Sequence, residues 1–263
     1  VAWADVDSDG RLDLVVASGT GVHALRNAAF GVYQDLTDVL GLADVQGGAV
    51  TVADADGDGR QDLLVTRASG VELLTFDGST FADQTDALGL GSAAGDAATW
   101  VDADGDGHPD LFVVGGGAGS LHRNPSTAPA TTVRAVSDGG RDAIGSVVTF
   151  TKGVTTIARL VDGGGGRAQA PPVATFPSPG FGTATIRVEF ADGTGRQTVI
   201  APGTPNVEVP ASAEAPSIGS AFVKKRDDGT LKLQVDGSGF ATSVEIVEVD
   251  GAAMDATRYP QAK

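Results

Sequence analysis

Asp5-Val6-Asp7-Ser8-Asp9-Gly10-Arg11-Leu12-Asp13 is the first of three closely similar nine-residue stretches in this chain. The second is Asp54-Ala55-Asp56-Gly57-Asp58-Gly59-Arg60-Gln61-Asp62, and the third is Asp102-Ala103-Asp104-Gly105-Asp106-Gly107-His108-Pro109-Asp110. They recur at intervals of 49 and 48 residues, with aspartate at positions 1, 3, 5 and 9 and glycine at position 6. Alternate side chains of a tight loop can point inward together, and glycine permits the sharp turn.

The aspartates of each stretch are predicted ligands of a metal ion. Ca²⁺ takes six to eight oxygen ligands, whereas uncompensated carboxylates repel by on the order of 4 kcal/mol per close pair at an effective dielectric of about 20. One Asp/Gly-rich loop is also compatible with an exposed turn, but three copies in one register favour calcium, ahead of magnesium. The predicted ligands are the side chains of Asp5, Asp7, Asp9, Asp13, Asp54, Asp56, Asp58, Asp62, Asp102, Asp104, Asp106 and Asp110, with the backbone carbonyls of Arg11, Arg60 and His108.

The loops differ from an EF-hand, although their first nine positions look like one. An EF-hand needs a bidentate Glu at position 12 and a helix on each side. Here position 12 is Val16, Val65 or Val113, inside a short apolar run typical of a strand. Each loop is therefore predicted to lead into a β-strand.

The acidity of the chain is concentrated in these loops. The net charge is −16, but 12 of the 34 acidic side chains lie in the loops, and the other 22 are matched against 18 Lys and Arg. No basic stripe remains that would favour nucleic acid. The chain has no cysteine, which excludes disulfides and cysteine chemistry. No apolar run approaches about 18 residues, so no membrane span is expected.

The similarity between the three stretches extends to the residues around them. Trp3 and Trp100 both stand two residues before the first Asp, and Arg26-Asn27 matches Arg123-Asn124. Further matches pair Gly21-Val22 with Gly70-Val71, and Tyr33-Gln34-Asp35-Leu36-Thr37-Asp38 with Phe81-Ala82-Asp83-Gln84-Thr85-Asp86. Four strand-sized segments in roughly 48 residues are typical of a propeller blade. We therefore predict an all-β chain that begins with a partial β-propeller of three four-stranded blades, at residues 1–49, 50–97 and 98–127.

These residues resemble the FG-GAP and VCBS repeats of integrin-α-type β-propellers. The resemblance implies calcium in a loop between two strands of each blade, one ion per loop, bound by the aspartates named above and holding the blades rigid. Three blades do not close a propeller. Because the chain begins without Met on an apparent strand, we expect further blades upstream, roughly six or seven in all as is usual in such relatives, or blades from neighbouring subunits.

Residues 128–210 lack the Asp loops and alternate Val, Thr, Ile and Arg with Gly and Pro punctuation, which predicts an antiparallel β domain. Arg141-Asp142-Ala143-Ile144-Gly145 and Val188-Glu189-Phe190-Ala191-Asp192-Gly193 resemble the ASPIC/UnbV domain, which follows FG-GAP blades in cartilage acidic protein and its bacterial relatives. Ala191 and the segment Phe176–Gly182 depart from the usual pattern of that domain.

Residues 211–216 are predicted to be a linker. Residues 217–263, with Leu231–Phe240 and Val244–Gly251, resemble the opening strands of an immunoglobulin-like IPT/TIG domain. A complete sandwich of this kind needs roughly 80–100 residues, so we expect a partial one.

No catalytic or cofactor-binding residue is predicted. His23, His108 and His122 are spread over the repeats without a pair at metal-binding spacing. Gly115–Gly119 aligns with hairpin turns rather than with a dinucleotide loop. Trp3 and Trp100 hold a fixed place relative to the loops, which favours packing between blades over a sugar-stacking platform.

The resemblance and the predicted calcium sites together indicate a secreted or cell-surface adhesion or interaction module for a protein or glycan of the surface or matrix. Extracellular calcium near millimolar levels saturates modules with a Kd of about 10⁻⁴–10⁻³ M, whereas cytosolic calcium does not. One alternative is a structural subunit or spacer of a surface assembly or filament. The other is a polysaccharide-active enzyme whose active site lies in upstream blades.

Overall fold

The structure is a computed structural model that describes residues 1–67, 69–86, 89–91, 95–164, 169–178, 180, 182–212, 217–225, 231–238 and 248–249. These residues form strands, turns and bends and contain no helix. Consequently, none of them belongs to a helix of the length and apolarity that crossing a membrane requires. The chain divides into two compact units, Val1–Ala211 and Ser212–Lys263.

The three Asp-loop repeats each form a small antiparallel sheet in which consecutive strands are neighbours. The first sheet contains β1 (Ala2–Ala4), β2 (Asp13–Ser18), β3 (Gly21–Asn27) and β4 (Tyr33–Asp35). The second contains β5 (Ala49–Ala53), β6 (Asp62–Arg67), β7 (Gly70–Phe76) and β8 (Phe81–Asp83). The third contains β9 (Ala97–Val101), β10 (Asp110–Gly115) and β11 (Ala118–His122).

Each Asp loop connects the first and second strands of its sheet, as predicted. The second strand of the second sheet is apolar and is buried on both faces. In β6, Leu63 and Val65 pack into a core shared with the first sheet, whereas Leu64 packs into a core shared with the third. The three sheets are thus stacked face to face, which is the packing of propeller blades.

The remaining strands of this unit form two more small sheets. They are β12 (Ala130–Val136), β13 (Val147–Lys152), β14 (Thr155–Leu160), β15 (Ala174–Pro177), β16 (Ala184–Glu189), β17 (Gly195–Ile200) and β18 (Asn206–Pro210). The fourth sheet has the order β15-β12-β18, with β12 and β18 parallel, and the fifth has the antiparallel order β14-β13-β16-β17. One core joins them, with Phe150 and Phe176 stacked at 5.5 Å between ring centroids.

The five sheets make a propeller-like arrangement, so the predicted count of three blades is wrong. The repeat signature identifies only sheets that contain an Asp loop between their first two strands. The fourth and fifth sheets have no such loop, and their strands interleave along the chain. All five sheets lie in the single compact unit Val1–Ala211. The predicted boundaries at residues 127, 210 and 216 stay predictions.

The second unit contains one antiparallel sheet in its described part, with β19 (Ser217–Lys225), β20 (Leu231–Ser238) and β21 (Glu248–Val249) in the order β19-β20-β21. An immunoglobulin-like sandwich needs a second sheet facing the first, and these described residues form only one. Most of the predicted segment Val244–Gly251, and residues 213–216 of the predicted linker, lie outside the described residues.

Candidate metal centres

The three Asp loops share one backbone conformation. Position 4 has a positive φ in every copy, at 57° for Ser8, 81° for Gly57 and 78° for Gly105. Position 6 does as well, at 85° for Gly10, 94° for Gly59 and 90° for Gly107. Only glycine adopts this left-handed region freely, so the repeated glycine at position 6 is a conformational requirement of the loop.

The aspartate at position 1 turns the loop around its own carboxylate. Asp54 accepts hydrogen bonds from the backbone N–H of Gly57 at 2.8 Å and of Gly59 at 2.9 Å. Equivalent bonds are made by Asp5, from Asp9 and Gly10, and by Asp102, from Gly105, Asp106 and Gly107. The first carboxylate is therefore bound to the backbone of the turn that carries the other aspartates.

The aspartate at position 9 joins the loop to two strands. Asp62 is fully buried and accepts the N–H of Ala55 at 2.7 Å with one oxygen and the N–H of Phe76 at 2.9 Å with the other. The same pair of bonds reaches Asp13 from Val6 and Asn27, and Asp110 from Ala103 and Asn124. The sequence pattern predicts position 9 only as a metal ligand, because the second donor in this structural role lies 14 residues further along the chain.

Each loop gathers three carboxylates closely enough to share one ion. Oxygen atoms of these residues lie within 4.8 Å of one another in three sets: Asp5, Asp7 and Asp13; Asp54, Asp56 and Asp58; Asp102, Asp104 and Asp110. The fourth predicted ligands, Asp9, Asp62 and Asp106, are not members of these sets. The donors are hard oxygens, which suits Ca²⁺ or Mg²⁺ better than softer metals.

The backbone carbonyls predicted as further ligands belong to Arg11, Arg60 and His108. The structure places their N–H groups on the carboxylate at position 5, with Arg60 donating to Asp58 at 2.8 Å. The equivalent bonds run from Arg11 to Asp9 and from His108 to Asp106. The part of these carbonyls in metal binding stays a prediction.

Arginine side chains already neutralise part of the charge of the loops. In the first loop, Arg26 lies 2.5 Å from a carboxylate oxygen of Asp7 and 3.0 Å from one of Asp9, which Arg11 also contacts. In the third, Arg123 lies 2.7 Å from Asp104. The second repeat has Thr75 in place of this arginine. In the second loop Arg60 contacts Asp58 instead, so a cation entering any of the three loops meets a guanidinium beside a carboxylate.

Burial makes the ionised carboxylates of the first two loops costly. Burial raises the pKa of Asp5, of Asp13 and of Asp54 to about 6. Burial likewise raises the pKa of Asp62 to about 7, and the nearby charges of Asp56 and Asp54 act in the same direction. A bound cation would offset this cost because it favours the ionised form.

The fifth sheet rests on the first two loops through β14. The N–H of Ala158 donates to Asp5 at 2.9 Å, and the buried guanidinium of Arg159 donates to the carbonyl of Gly59 at 2.8 Å. Burial lowers the pKa of Arg159, although the carboxylates of Asp54 and Asp5 act against it. A Cβ on Gly10 would lie 2.9 Å from Thr156, so this glycine also permits close approach.

The other residues considered in the sequence are dispersed. His23 and His122 lie on β3 and β11, whereas the buried ring of His108 contacts the carbonyl of Ala128. Trp100 packs in the core between the second and third sheets, and Trp3 is partly exposed on β1. Gly116 and Gly117 form the turn between β10 and β11. The described residues therefore bring no histidine into any of the three carboxylate sets.

Comparison with known proteins identifies FG-GAP-like repeats in the first half of the chain, where the family's profile matches residues 5–65 and 54–113. Each match contains two consecutive Asp loops and the strands between them. No curated protein sequence matches the chain significantly. The predicted FG-GAP resemblance is thus confirmed for the loop repeats, and the resemblances of residues 128–210 to ASPIC/UnbV and of residues 217–263 to IPT/TIG stay predictions.

The structural and ligand roles of the aspartates are separable in the second loop. Asp62→Asn places an amide N–H₂ opposite a backbone N–H, so we expect it to cost about 1–3 kcal/mol of stability in chelator. Asp58→Asn keeps the bond to Arg60 and lies on the surface, so its cost in chelator is within about 0.5 kcal/mol, while calcium binding at this loop weakens. Urea unfolding in chelator measures the stability of each variant, and calcium titration measures its calcium affinity. Equal destabilisation by the two variants would contradict these roles.

The raised pKa values predict an unusual pH dependence in chelator. A carboxyl whose pKa is raised on folding from 3.8 to about 6 or 7 stabilises the fold below about pH 4, and this stabilisation is lost as the pH rises through the folded value. We therefore expect the melting temperature in chelator to be lower at pH 8 than at pH 5.5. Saturating calcium should remove this difference. A melting temperature in chelator that rises between these pH values would be the opposite result.

Proposed function

We propose that this protein is a calcium-stabilised, propeller-like interaction module that works outside the cell or at its surface and binds a protein or glycan. The observation that carries the proposal is the repeated convergence of three carboxylates in each of three FG-GAP-like loops. Such loops often bind calcium, and the donor set of hard oxygens fits this ion.

The proposed role of calcium is structural. The ion would supply the positive charge that buried Asp5, Asp13, Asp54 and Asp62 lack, and it would leave the backbone bonds of the position 9 aspartates in place. Because Ala158 and Arg159 of β14 bind the first and second loops, stiffening of these loops would also stabilise the packing of the fifth sheet. We propose no catalytic role for the loops.

The proposed location follows from the expected affinity and from the repeat family. Loops whose charge is already partly neutralised by Arg26 and Arg123 fit the weak class of calcium sites, with a Kd of about 10⁻⁴–10⁻³ M, which only extracellular calcium saturates. FG-GAP repeats are also typical of extracellular proteins. A propeller of this kind is commonly an interaction module rather than an enzyme.

Calcium titration tests the first part of the proposal. After removal of metal with chelator, calorimetry should detect three sites, and each site should add about 2.7 kcal/mol of stability when calcium reaches 100 times its Kd. Magnesium at the same concentration is the control and should raise the melting temperature less. Absence of binding, or equal melting temperatures in calcium and chelator, would contradict the proposed calcium sites.

Polysaccharide binding tests the second part and separates it from the enzyme alternative. The protein is applied to immobilised acidic and neutral polysaccharides and to matrix proteins, with calcium or with chelator. The proposal predicts calcium-dependent retention without release of new reducing ends or unsaturated products. Release of such products would instead support the enzyme.

A further inference from the structure

The third sheet differs from the first two because, among the described residues, no fourth strand pairs with its third strand, β11. In the first and second sheets, β4 and β8 pair with the third strand of the repeat. The third sheet has the order β11-β10-β9, and within the described residues no strand pairs with the outer side of β11. After Asn124 the chain continues to β12, which pairs with β15 and β18 instead.

The third sheet exposes apolar side chains at positions whose equivalents in the first two sheets are buried. The bonds to the position 9 aspartates align Asn27, Phe76 and Asn124, so the residues three places earlier, Ala24, Leu73 and Leu121, are equivalent. Ala24 is 0% and Leu73 is 1% exposed, whereas Leu121 is 46% exposed. Phe112 and Val114 of the neighbouring strand are exposed as well. The third sheet thus carries an uncovered apolar surface.

The first two repeats show what pairs with the backbone at this position, whereas the side chains of Ala24 and Leu73 pack in cores shared with the next sheet. Leu36 donates its N–H to the carbonyl of Ala24 at 2.9 Å, and the N–H of Ala24 donates to the hydroxyl of Thr37 at 3.2 Å. The second repeat makes the same pair of bonds between Leu73 and the residues Gln84 and Thr85. In both, the threonine N–H also donates to the preceding aspartate, Asp35 or Asp83. The pairing segment has the pattern aromatic-x-Asp-x-Thr, at residues 33–37 or 81–85, and its first three residues form β4 or β8.

We propose that the open edge of β11 binds an extended segment of a partner protein that carries this aromatic-x-Asp-x-Thr pattern. The backbone N–H and C=O of Leu121 take the places of those of Ala24 and Leu73. The hydroxyl of the partner's threonine accepts the N–H of Leu121, and the residue before that threonine donates its N–H to the carbonyl of Leu121. Addition of a strand to an exposed sheet edge is an established mode of peptide recognition. This inference deepens the proposed interaction function and rests on it for its biological meaning.

The charges at the edge suit the acidic residue of the pattern. In the register of the first two sheets, the aspartate of the fourth strand lies opposite Leu25 or Leu74. The equivalent residue of the third repeat is His122, and its neighbour Arg123 is exposed. The partner's aspartate therefore meets the imidazole of His122 where the first two repeats have leucine, whereas Arg123 corresponds to Arg26 of the first repeat and pairs with Asp104.

A synthetic peptide with the sequence of residues 31–40, labelled with a fluorophore, tests this proposal by anisotropy titration. We expect saturable binding that weakens roughly tenfold for Leu121→Pro, because proline removes the outward N–H and its hydrogen bond. Leu121→Val keeps the N–H and an apolar side chain and should bind as the wild type does. A peptide with alanine at the positions of Asp35 and Thr37 should bind at least several-fold more weakly.

Hydrogen exchange on the wild-type protein gives a second readout that needs no variant. Addition of the peptide should slow exchange of the Leu121 and Arg123 amides and leave the amides of β17, another edge strand, unchanged. Absence of peptide binding, or equal binding by Leu121→Pro, would overturn the proposal. So would self-association of the chain that Leu121→Pro abolishes, since it would identify a second copy as the occupant. None of these results would change calcium-dependent retention on polysaccharides, so failure of this proposal is distinguishable from failure of the proposed function.

Discussion

The buried carboxylate at position 9 of each loop is the interaction on which the repeat sheets depend. Asp13, Asp62 and Asp110 are each 0% exposed, and each accepts one backbone N–H from the start of its loop and one from a residue at or just beyond the end of the third strand. A neutral side chain of the same shape supplies only one acceptor for these two donors. The carboxylate therefore closes each loop onto its sheet.

This arrangement links electrostatics to the packing of the whole first unit. Burial satisfies the hydrogen bonds of the carboxylates but removes water from their charges, which is unfavourable without a compensating cation. Arg159 supplies one such cation from the fifth sheet, and Arg26 supplies another from β3. The loops are consequently the points where the repeat sheets, the fifth sheet and any bound ion act on one another.

The features predictable from the sequence are those determined by the local repeat pattern. The aspartate positions, the strands after each loop and the all-β class follow from local residue types, because tight turns and apolar runs are determined by neighbouring residues. The arrangement of the fourth and fifth sheets has no such local signal, since their interleaved strands and contacts such as Ala158 with Asp5 join residues far apart in sequence. The structural role of position 9 was missed for the same reason, because its second donor is 14 residues away.

Amide hydrogen exchange measured residue by residue in chelator tests most directly whether the position 9 carboxylate organises each repeat. We predict that the loop amides bound by these aspartates, those of Val6, Ala55 and Ala103, exchange as slowly as amides in the middle of β2, β6 and β10, although they lie in the loops before these strands. Exchange as fast as that of the amide of Gly153, in the turn between β13 and β14, would contradict it.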